Sequence, residues 1–151
     1  MVINFNKIFE KKIFLLSLIL ILGIFLRLYN LNFEDLWYDE QASFWVSDPN
    51  LTFNQTISRS NELDRGTGLV FNLILKNFFS IFNYNPDVGR ILTSIFGILS
   101  LPALGYLSFQ IKKDNSFLFI IFLASINWYL ISYSQELRGF ILLFLLSVLS
   151  I

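Results

Sequence analysis

Cysteine and histidine are both absent from the 151 residues of this chain. Without cysteine there is no disulfide framework and no thiol nucleophile, and without histidine there is neither an imidazole base nor the usual zinc ligand. Proton transfer must therefore come from Asp, Glu, Tyr, Lys or water. The sequence identifies no firm cofactor and no metal ligand, and it leaves room only for a hard divalent cation on oxygen ligands.

An excess of charge of either sign is also absent, because eleven basic residues balance eleven acidic ones. The sequence therefore predicts no nucleic-acid partner, which would need a basic surface. What the chain has instead is apolar: it is 55% hydrophobic and 18% aromatic, with a mean hydropathy of +0.62. Apolar runs approaching ~20 residues predict an all-α integral membrane protein surrounded by membrane lipids.

About four transmembrane helices are predicted. Lysines precede the first and place its N-terminus in the cytoplasm, and Lys112 and Lys113 place the end of the second on the same side. A signal peptide is the alternative for the first segment, but no small-residue cleavage site follows it, which favours a retained anchor. The spans fall at about residues 13–31, 88–111, 117–133 and 139–151. The protein is expected to be a multi-pass protein of the plasma (inner) membrane.

An external, periplasmic loop of about residues 32–87 is predicted to carry two amphipathic interfacial helices. The first is expected to begin with Asp39 as its N-cap. The second, from Gly68 to Phe82, would be about 22 Å long and too short for a ~30 Å hydrocarbon core, although a short true span is the alternative. Arg27, near the outer end of the first span, is expected to snorkel to phosphate level.

The sequence ends inside an apolar run, where a free carboxylate would lie in mid-bilayer at high energetic cost. We therefore expect residues 1–151 to be the N-terminal portion of a larger polytopic protein, or a truncated reading frame. In that case the last transmembrane helix is incomplete, and the fragment alone is expected to be inactive.

Charged residues that could carry chemistry cluster in the external segments. Although they are far apart in sequence, the predicted topology confines them to the outer membrane face. They are Asp39, Glu40, Asp64, Arg65, Arg90, Glu136 and Arg138.

For each of these residues there is also a simpler structural explanation that involves no catalysis. Asp39 could act only as a helix cap, and Asp64 with Arg65 could form a solvated pair worth under ~1 kcal/mol. Interfacial arginines commonly bind lipid head groups, and Glu136 stands where a helix dipole favours a carboxylate. The shared location of the set is more informative than any single member.

Glycosyl transfer from a lipid phosphate at the outer face would use this set directly. A carboxylate would take the proton of the attacking hydroxyl, and cations would receive the departing phosphate. Asp39 and Glu40 are the catalytic candidates, with Asp39 as the base. Arg65 and Arg138 are candidate phosphate clamps. The predicted residues that bind the substrate or its lipid phosphate are Asp64, Arg65, Arg90, Glu136 and Arg138.

The chain resembles the N-terminal part of polytopic C-type glycosyltransferases that use polyprenyl-phosphate sugars. This group includes protein O-mannosyltransferases, the lipid A aminoarabinose transferase and the lipopolysaccharide-core galacturonosyltransferases. The resemblance rests on four features: Trp37-Tyr38-Asp39-Glu40 after the first span, Asp64-Arg65 before an apolar helix, Arg90 at the second span, and the turn Tyr133-Ser134-Gln135-Glu136-Leu137-Arg138.

The resemblance implies a GT-C fold and transfer of a glycosyl group to a hydroxyl of a glycan, lipid or protein acceptor. It also implies that Asp39 is the base or orients the acceptor, that Asp64 and Arg65 lie near the lipid phosphate, and that Glu136 lies in the same cavity. Gly66-Thr67-Gly68 departs from the His or Pro-Pro pair of many relatives. The alternative class is a non-enzymatic membrane protein, either a transporter or a scaffold subunit. In a transporter, ionisable groups should lie within the spans.

Overall fold

The computed structural model describes residues 5–64 and 68–151, with the side chains of residues 10–63 and 68–151. Within those ranges the chain forms helices and no strand, which confirms the predicted all-α class. In chain order the helices are α1 (Phe5–Leu28), α2 (Tyr38–Val46), α3 (Phe53–Asp64), α4 (Leu69–Ile81), α5 (Pro86–Lys112), α6 (Ser116–Ile126), α7 (Trp128–Gln135) and α8 (Phe140–Leu149).

Helix α5 is central and packs against α1, α4, α6, α7 and α8. One buried apolar cluster joins α4, α5 and α8 and includes Leu75 and Leu142. A second cluster joins α1, α5 and α6 and includes Leu101 and Ile121. Because α5 contributes to both clusters, it holds the two halves of the bundle together.

Two glycines allow the helices to approach one another closely. A Cβ at Gly97 on α5 would lie 2.6 Å from the Cβ of Ser134 on α7, and a Cβ at Gly23 on α1 would lie 2.5 Å from Leu101 Cδ1. A side chain at either position would push these helices apart. Small residues at helix crossings are the usual means of close packing in membrane bundles.

Among the described residues, α5 is the one helix long and apolar enough to cross a bilayer. The pair α6–α7 makes a second candidate only when its two bent parts are counted as one span. Helices α4 and α8 are apolar but shorter. The number of four spans therefore remains a prediction.

The predicted third span, residues 117–133, is broken rather than continuous. Helices α6 and α7 meet at an angle of 56°, and Asn127 between them has an extended backbone with φ −68° and ψ 118°. The Asn127 side chain accepts a hydrogen bond from the Leu130 amide at 3.0 Å and caps α7. A single polar residue that can cap a new helix thus interrupts an otherwise apolar run.

Arg27 of α1 stabilises this break, and the expectation that it snorkels to the membrane surface is wrong. Its guanidinium is fully buried and donates to the carbonyls of Ala124 at 3.2 Å and Ser125 at 3.3 Å. These carbonyls lie in the last turn of α6, where the break removes helical partners. A cation at a helix C-terminus is also favoured by the helix dipole.

The segment between α1 and α5, predicted to be an external loop with two helices, holds three helices. Helix α4 agrees with the predicted segment, whereas α3 was missed because its sequence is largely polar and its buried positions include Thr56 and Ser60. Helix α2 begins at Tyr38 with Trp37 at the N-cap. Asp39 lies in the first turn and is not the cap, so that expectation is also wrong.

Candidate active site

The adjacent acids Asp39 and Glu40 lie in opposite environments. Successive residues of a helix point about 100° apart, so α2 buries one carboxylate and exposes the other. Glu40 is fully buried, whereas the Asp39 side chain is 57% exposed. The pair therefore divides into one structural carboxylate and one accessible carboxylate.

Glu40 and Arg90 form a buried ion pair between α2 and the start of α5. Arg90 Nη2 lies 2.8 Å from Glu40 Oε2, and Arg90 Nε lies 3.0 Å from Oε1. The two parallel bonds give the fork-to-fork geometry that makes arginine–carboxylate pairs strong and specific. The two residues are 50 positions apart in the sequence, so this ion pair joins distant parts of the chain.

Two backbone amides complete the coordination of Glu40. The amide of Leu137 donates to Oε1 at 2.7 Å, and the amide of Trp37 donates to Oε2 at 3.1 Å. Glu40 lies in the first turn of α2 and Trp37 is the N-cap residue. A hydrogen bond from the N-cap amide to an acid at this position stabilises the start of a helix. Glu40 thus joins α2, α5 and the turn before α8.

The pKa of the Glu40 carboxyl is set by opposing effects. Burial raises the pKa, but the hydrogen bond from Arg90, the amides of Leu137 and Trp37 and the charge of Arg90 lower it by more. The net pKa lies below the ordinary value of 4.5. Glu40 is therefore ionised at neutral pH and has no proton to give.

Arg90 also organises the loop before α2. Its Nη1 donates to the Glu34 carbonyl at 2.6 Å, and its Nη2 donates to the Asp35 carbonyl at 3.3 Å. Every guanidinium nitrogen is engaged, and the side chain is only 5% exposed. A phosphate could bind Arg90 only by breaking these bonds.

The turn between α7 and α8 is tied to the end of α1 by Gln135. The side-chain nitrogen of Gln135, Nε2, donates to the backbone carbonyls of Leu26, Arg27 and Tyr29 at 3.2, 3.3 and 2.9 Å. These carbonyls belong to the last turn of α1 and the residue after it, where no further helical amide is available to donate a hydrogen bond. Gln135 therefore acts as a C-terminal cap supplied from a distant segment.

Asp39 forms a second, accessible ion pair with Arg138. Arg138 Nη2 lies 3.1 Å from Asp39 Oδ2, and the two side chains are 33% and 57% exposed. The Arg138 guanidinium also lies over the Phe140 ring at 4.4 Å, which holds it in place. Exposed ion pairs contribute at most about 1 kcal/mol, so a ligand can exchange partners here at little cost.

This ion pair borders a groove of about 620 Å³ between α2, α3, α4 and α8. Apolar side chains make much of its wall, among them Val46, Phe71, Leu142 and Leu146. Tyr38, Asp39 and Arg138 supply the polar border. A molecule with a charged head group and an apolar chain would fit the polar border and the apolar wall of this groove.

The other predicted site residues are not brought to the groove by any described contact. Glu136 accepts a hydrogen bond from the Ser132 hydroxyl at 3.0 Å and does not line the groove. Asp64 ends α3 and Arg65 follows it; the Asp64 side chain and the whole of Arg65 lie outside the described residues. Within the described part of the chain, no cluster of acidic side chains could hold a metal ion.

Sequence reasoning missed Asn72, which lines the groove from α4. Its signal was available, because Asn72 is the polar member of a buried helix face that also contains Phe71, Leu75 and Phe79. Sequence reasoning also gave no role to Gln135, although it stands inside the quoted turn motif. Capping of a distant helix cannot be deduced from local sequence pattern alone.

Comparisons with protein-family models, with curated proteins and with solved structures find no match for this chain.

Proposed function

We propose that the chain belongs to a membrane glycosyltransferase that transfers a sugar from a polyprenyl phosphate to an acceptor hydroxyl. The observation that carries this proposal is the Asp39–Arg138 pair at the border of a groove with largely apolar walls. It offers a base, a cation and an apolar channel within one site. These are the three elements that the reaction requires.

In the proposed arrangement, α1, α5, the bent pair α6–α7 and α8 are the four spans. The support is their exposed apolar surface, since large side chains such as Phe14, Phe25, Leu99, Phe119 and Leu143 lie at the surface. Soluble proteins rarely expose apolar area on this scale. Helices α2, α3 and α4 then lie at the outer, periplasmic face, and the N-terminus is cytoplasmic.

The position of α4 in the interface is supported by Lys76. Its ammonium donates to the Leu51 carbonyl and to the Thr56 hydroxyl, so the charge points toward the external helix α3. A helix of 13 residues is about 20 Å long at ~1.5 Å per residue, short of a ~30 Å core.

The proposed reaction is a single displacement at the anomeric carbon of the donor sugar. Asp39 takes the proton of the acceptor hydroxyl while its oxygen bonds to the anomeric carbon. The bond from that carbon to the phosphate oxygen breaks, and its electron pair stays on the phosphate. Arg138 stabilises the charge that develops there. One displacement inverts the anomeric configuration.

Glu40 and Arg90 serve this reaction as positioning residues rather than as catalytic ones. Glu40 is ionised, buried and bonded through both oxygens. Its bonds hold Asp39 on α2 opposite Arg138 on the turn before α8. Asp64, Arg65 and Glu136 remain predicted binding residues.

The test compares substitutions at the ion pair in the protein reconstituted in lipid nanodiscs. Asp39→Asn is expected to lower transfer by about 10²–10⁴-fold, the usual contribution of a general base. The same change should tighten the binding of citronellyl phosphate, because it removes the carboxylate that competes for Arg138. Arg138→Gln should weaken that binding about tenfold.

Asp35→Asn is the matched control, because Asp35 is an exposed acid of the same loop that does not line the groove. It should leave transfer and phosphate binding unchanged. Undiminished transfer by Asp39→Asn would refute the role of the base. Phosphate binding without transfer of any polyprenyl-linked sugar would favour a non-enzymatic membrane protein.

A further inference from the structure

Two polar side chains of the groove contain buried atoms that lack hydrogen-bond partners among the described residues. Asn72 on α4 is 7% exposed and its Oδ1 is without a donor, and Ser60 on α3 is 2% exposed and its Oγ is without a partner. Both line the groove that Asp39 and Arg138 border. Helices α2, α3 and α4 and the turn before α8 thus contribute polar groups to one space.

An unsatisfied buried polar group destabilises a folded protein, because it loses its hydrogen bonds to water without gaining others. Asn72 occupies a face of α4 that is otherwise buried and apolar, where leucine would pack without that cost. Native proteins keep few such groups, and those they keep commonly meet a ligand or an ordered water. Asn72 and Ser60 therefore point to a bound partner that supplies the missing hydrogen bonds.

We propose that Asn72 and Ser60 determine the sugar specificity of the groove by hydrogen-bonding hydroxyl groups of the donor's glycosyl ring. This inference rests on the proposed function and extends it, because it assigns a separate part of the donor to each part of the groove. The phosphate lies at Arg138, the isoprenoid chain follows the apolar wall, and the sugar lies against α3 and α4.

The chemistry of the two side chains favours a sugar ring over a second charged group. An amide and a hydroxyl are neutral, and each can both donate and accept. Ring hydroxyls also donate and accept, whereas a phosphate offers mainly acceptors and prefers a cation. Sites that hydrogen-bond a substrate hydroxyl discriminate strongly against analogues that lack it, because their own polar groups are then left unpaired.

The experiment measures binding of two kinds of probe to the whole chain in nanodiscs by thermophoresis. One probe is bare citronellyl phosphate; the others are its mannosyl, galactosyl, glucosyl and arabinosyl esters. In the wild type, the preferred ester should bind at least tenfold more tightly than the bare phosphate. Asn72→Leu should reduce that ratio about tenfold and Ser60→Ala about threefold, with bare phosphate binding unchanged.

Two matched controls separate sugar recognition from general effects of substitution. Asn77→Leu makes the same change on the exposed face of α4. Ser108→Ala removes another buried hydroxyl without a partner among the described residues, on α5 and away from the groove. Both should keep the wild-type ratio.

The melting temperature identifies a folding defect. Asn72→Leu removes a buried Oδ1 atom that has no hydrogen-bond partner among the described residues, so the variant should melt at or above the wild-type temperature. If Asn72→Leu melts at a lower temperature than the wild type, the binding ratio of Ser60→Ala, a variant that loses only one oxygen atom, provides the test.

Two results would overturn the inference, and they differ. If wild type and both variants prefer the ester equally, sugar recognition by Asn72 and Ser60 is refuted while the phosphate site stands. If wild type binds neither the phosphate nor any ester, the proposed function itself fails and the inference fails with it.

Discussion

Replacing Glu40 with glutamine tests the ion pair on which the site geometry depends. Both Glu40 oxygens accept hydrogen bonds, from Arg90, Leu137 and Trp37. Glu40→Gln keeps the volume of the side chain but turns one acceptor into a donor that faces other donors. It also leaves the Arg90 guanidinium buried without a counter-charge.

The expected magnitude follows from burial. The two side chains are 0% and 5% exposed, and removing one partner of a buried pair costs about 3–5 kcal/mol. For a protein of this size, 1 kcal/mol corresponds to roughly 2–4 °C, so Glu40→Gln should lower the melting temperature by about 6–20 °C. The double variant Glu40→Leu/Arg90→Met should recover only part of this loss, because it removes both buried charges but leaves the backbone groups that the two side chains bind without partners.

Circular dichroism in nanodiscs, followed on heating, measures these shifts. Glu34→Gln is the control, since Glu34 is exposed and gives Arg90 only its backbone carbonyl; it should melt within about 2 °C of wild type. A Glu40→Gln variant that melts like this control would show that the ion pair does not stabilise the fold.

The pH dependence provides an independent check. The pKa of Glu40 is lowered in the folded protein from its ordinary 4.5, so its stabilisation is complete above about pH 4.5 and is lost as the pH falls through the folded-state pKa. Wild-type stability should therefore decline in acid more steeply than that of Glu40→Gln. Parallel acid curves would contradict the assignment.

Two further predictions concern the bundle. Arg27→Met should destabilise the protein by about 2 kcal/mol, because the Ala124 and Ser125 carbonyls lose their donor at the break between α6 and α7; an unchanged melting temperature would show that the break is stable without it. Since the chain has no native cysteine, single cysteines at Asn83 and Asn115, exposed before and after α5, should react with an impermeant thiol reagent from the outside and the inside respectively. Labelling of both from one side would show that α5 does not cross the membrane.

Local sequence patterns were sufficient for several elements. The helical class, the apolar segment that became α4 and the start of α8 after Gly139 follow from hydrophobic runs and helix-start signals, which are properties of neighbouring residues. The bend at Asn127 was missed because the apolar run continues on both sides of it. Helix α3 was missed because most of its residues are polar.

The sequence by itself determined which chemistry is available: carboxylates and arginines without histidine or cysteine, in segments next to apolar helices. Only the tertiary structure decided how these groups divide. In the tertiary structure Glu40 is buried against Arg90, whereas Asp39 and Arg138 are accessible at the groove. Arg27 is buried and donates to the carbonyls at the end of α6. The physical reason is that burial and pairing depend on contacts between residues 50 to about 100 positions apart, and no local pattern of residue types specifies which distant partner will meet a given charge.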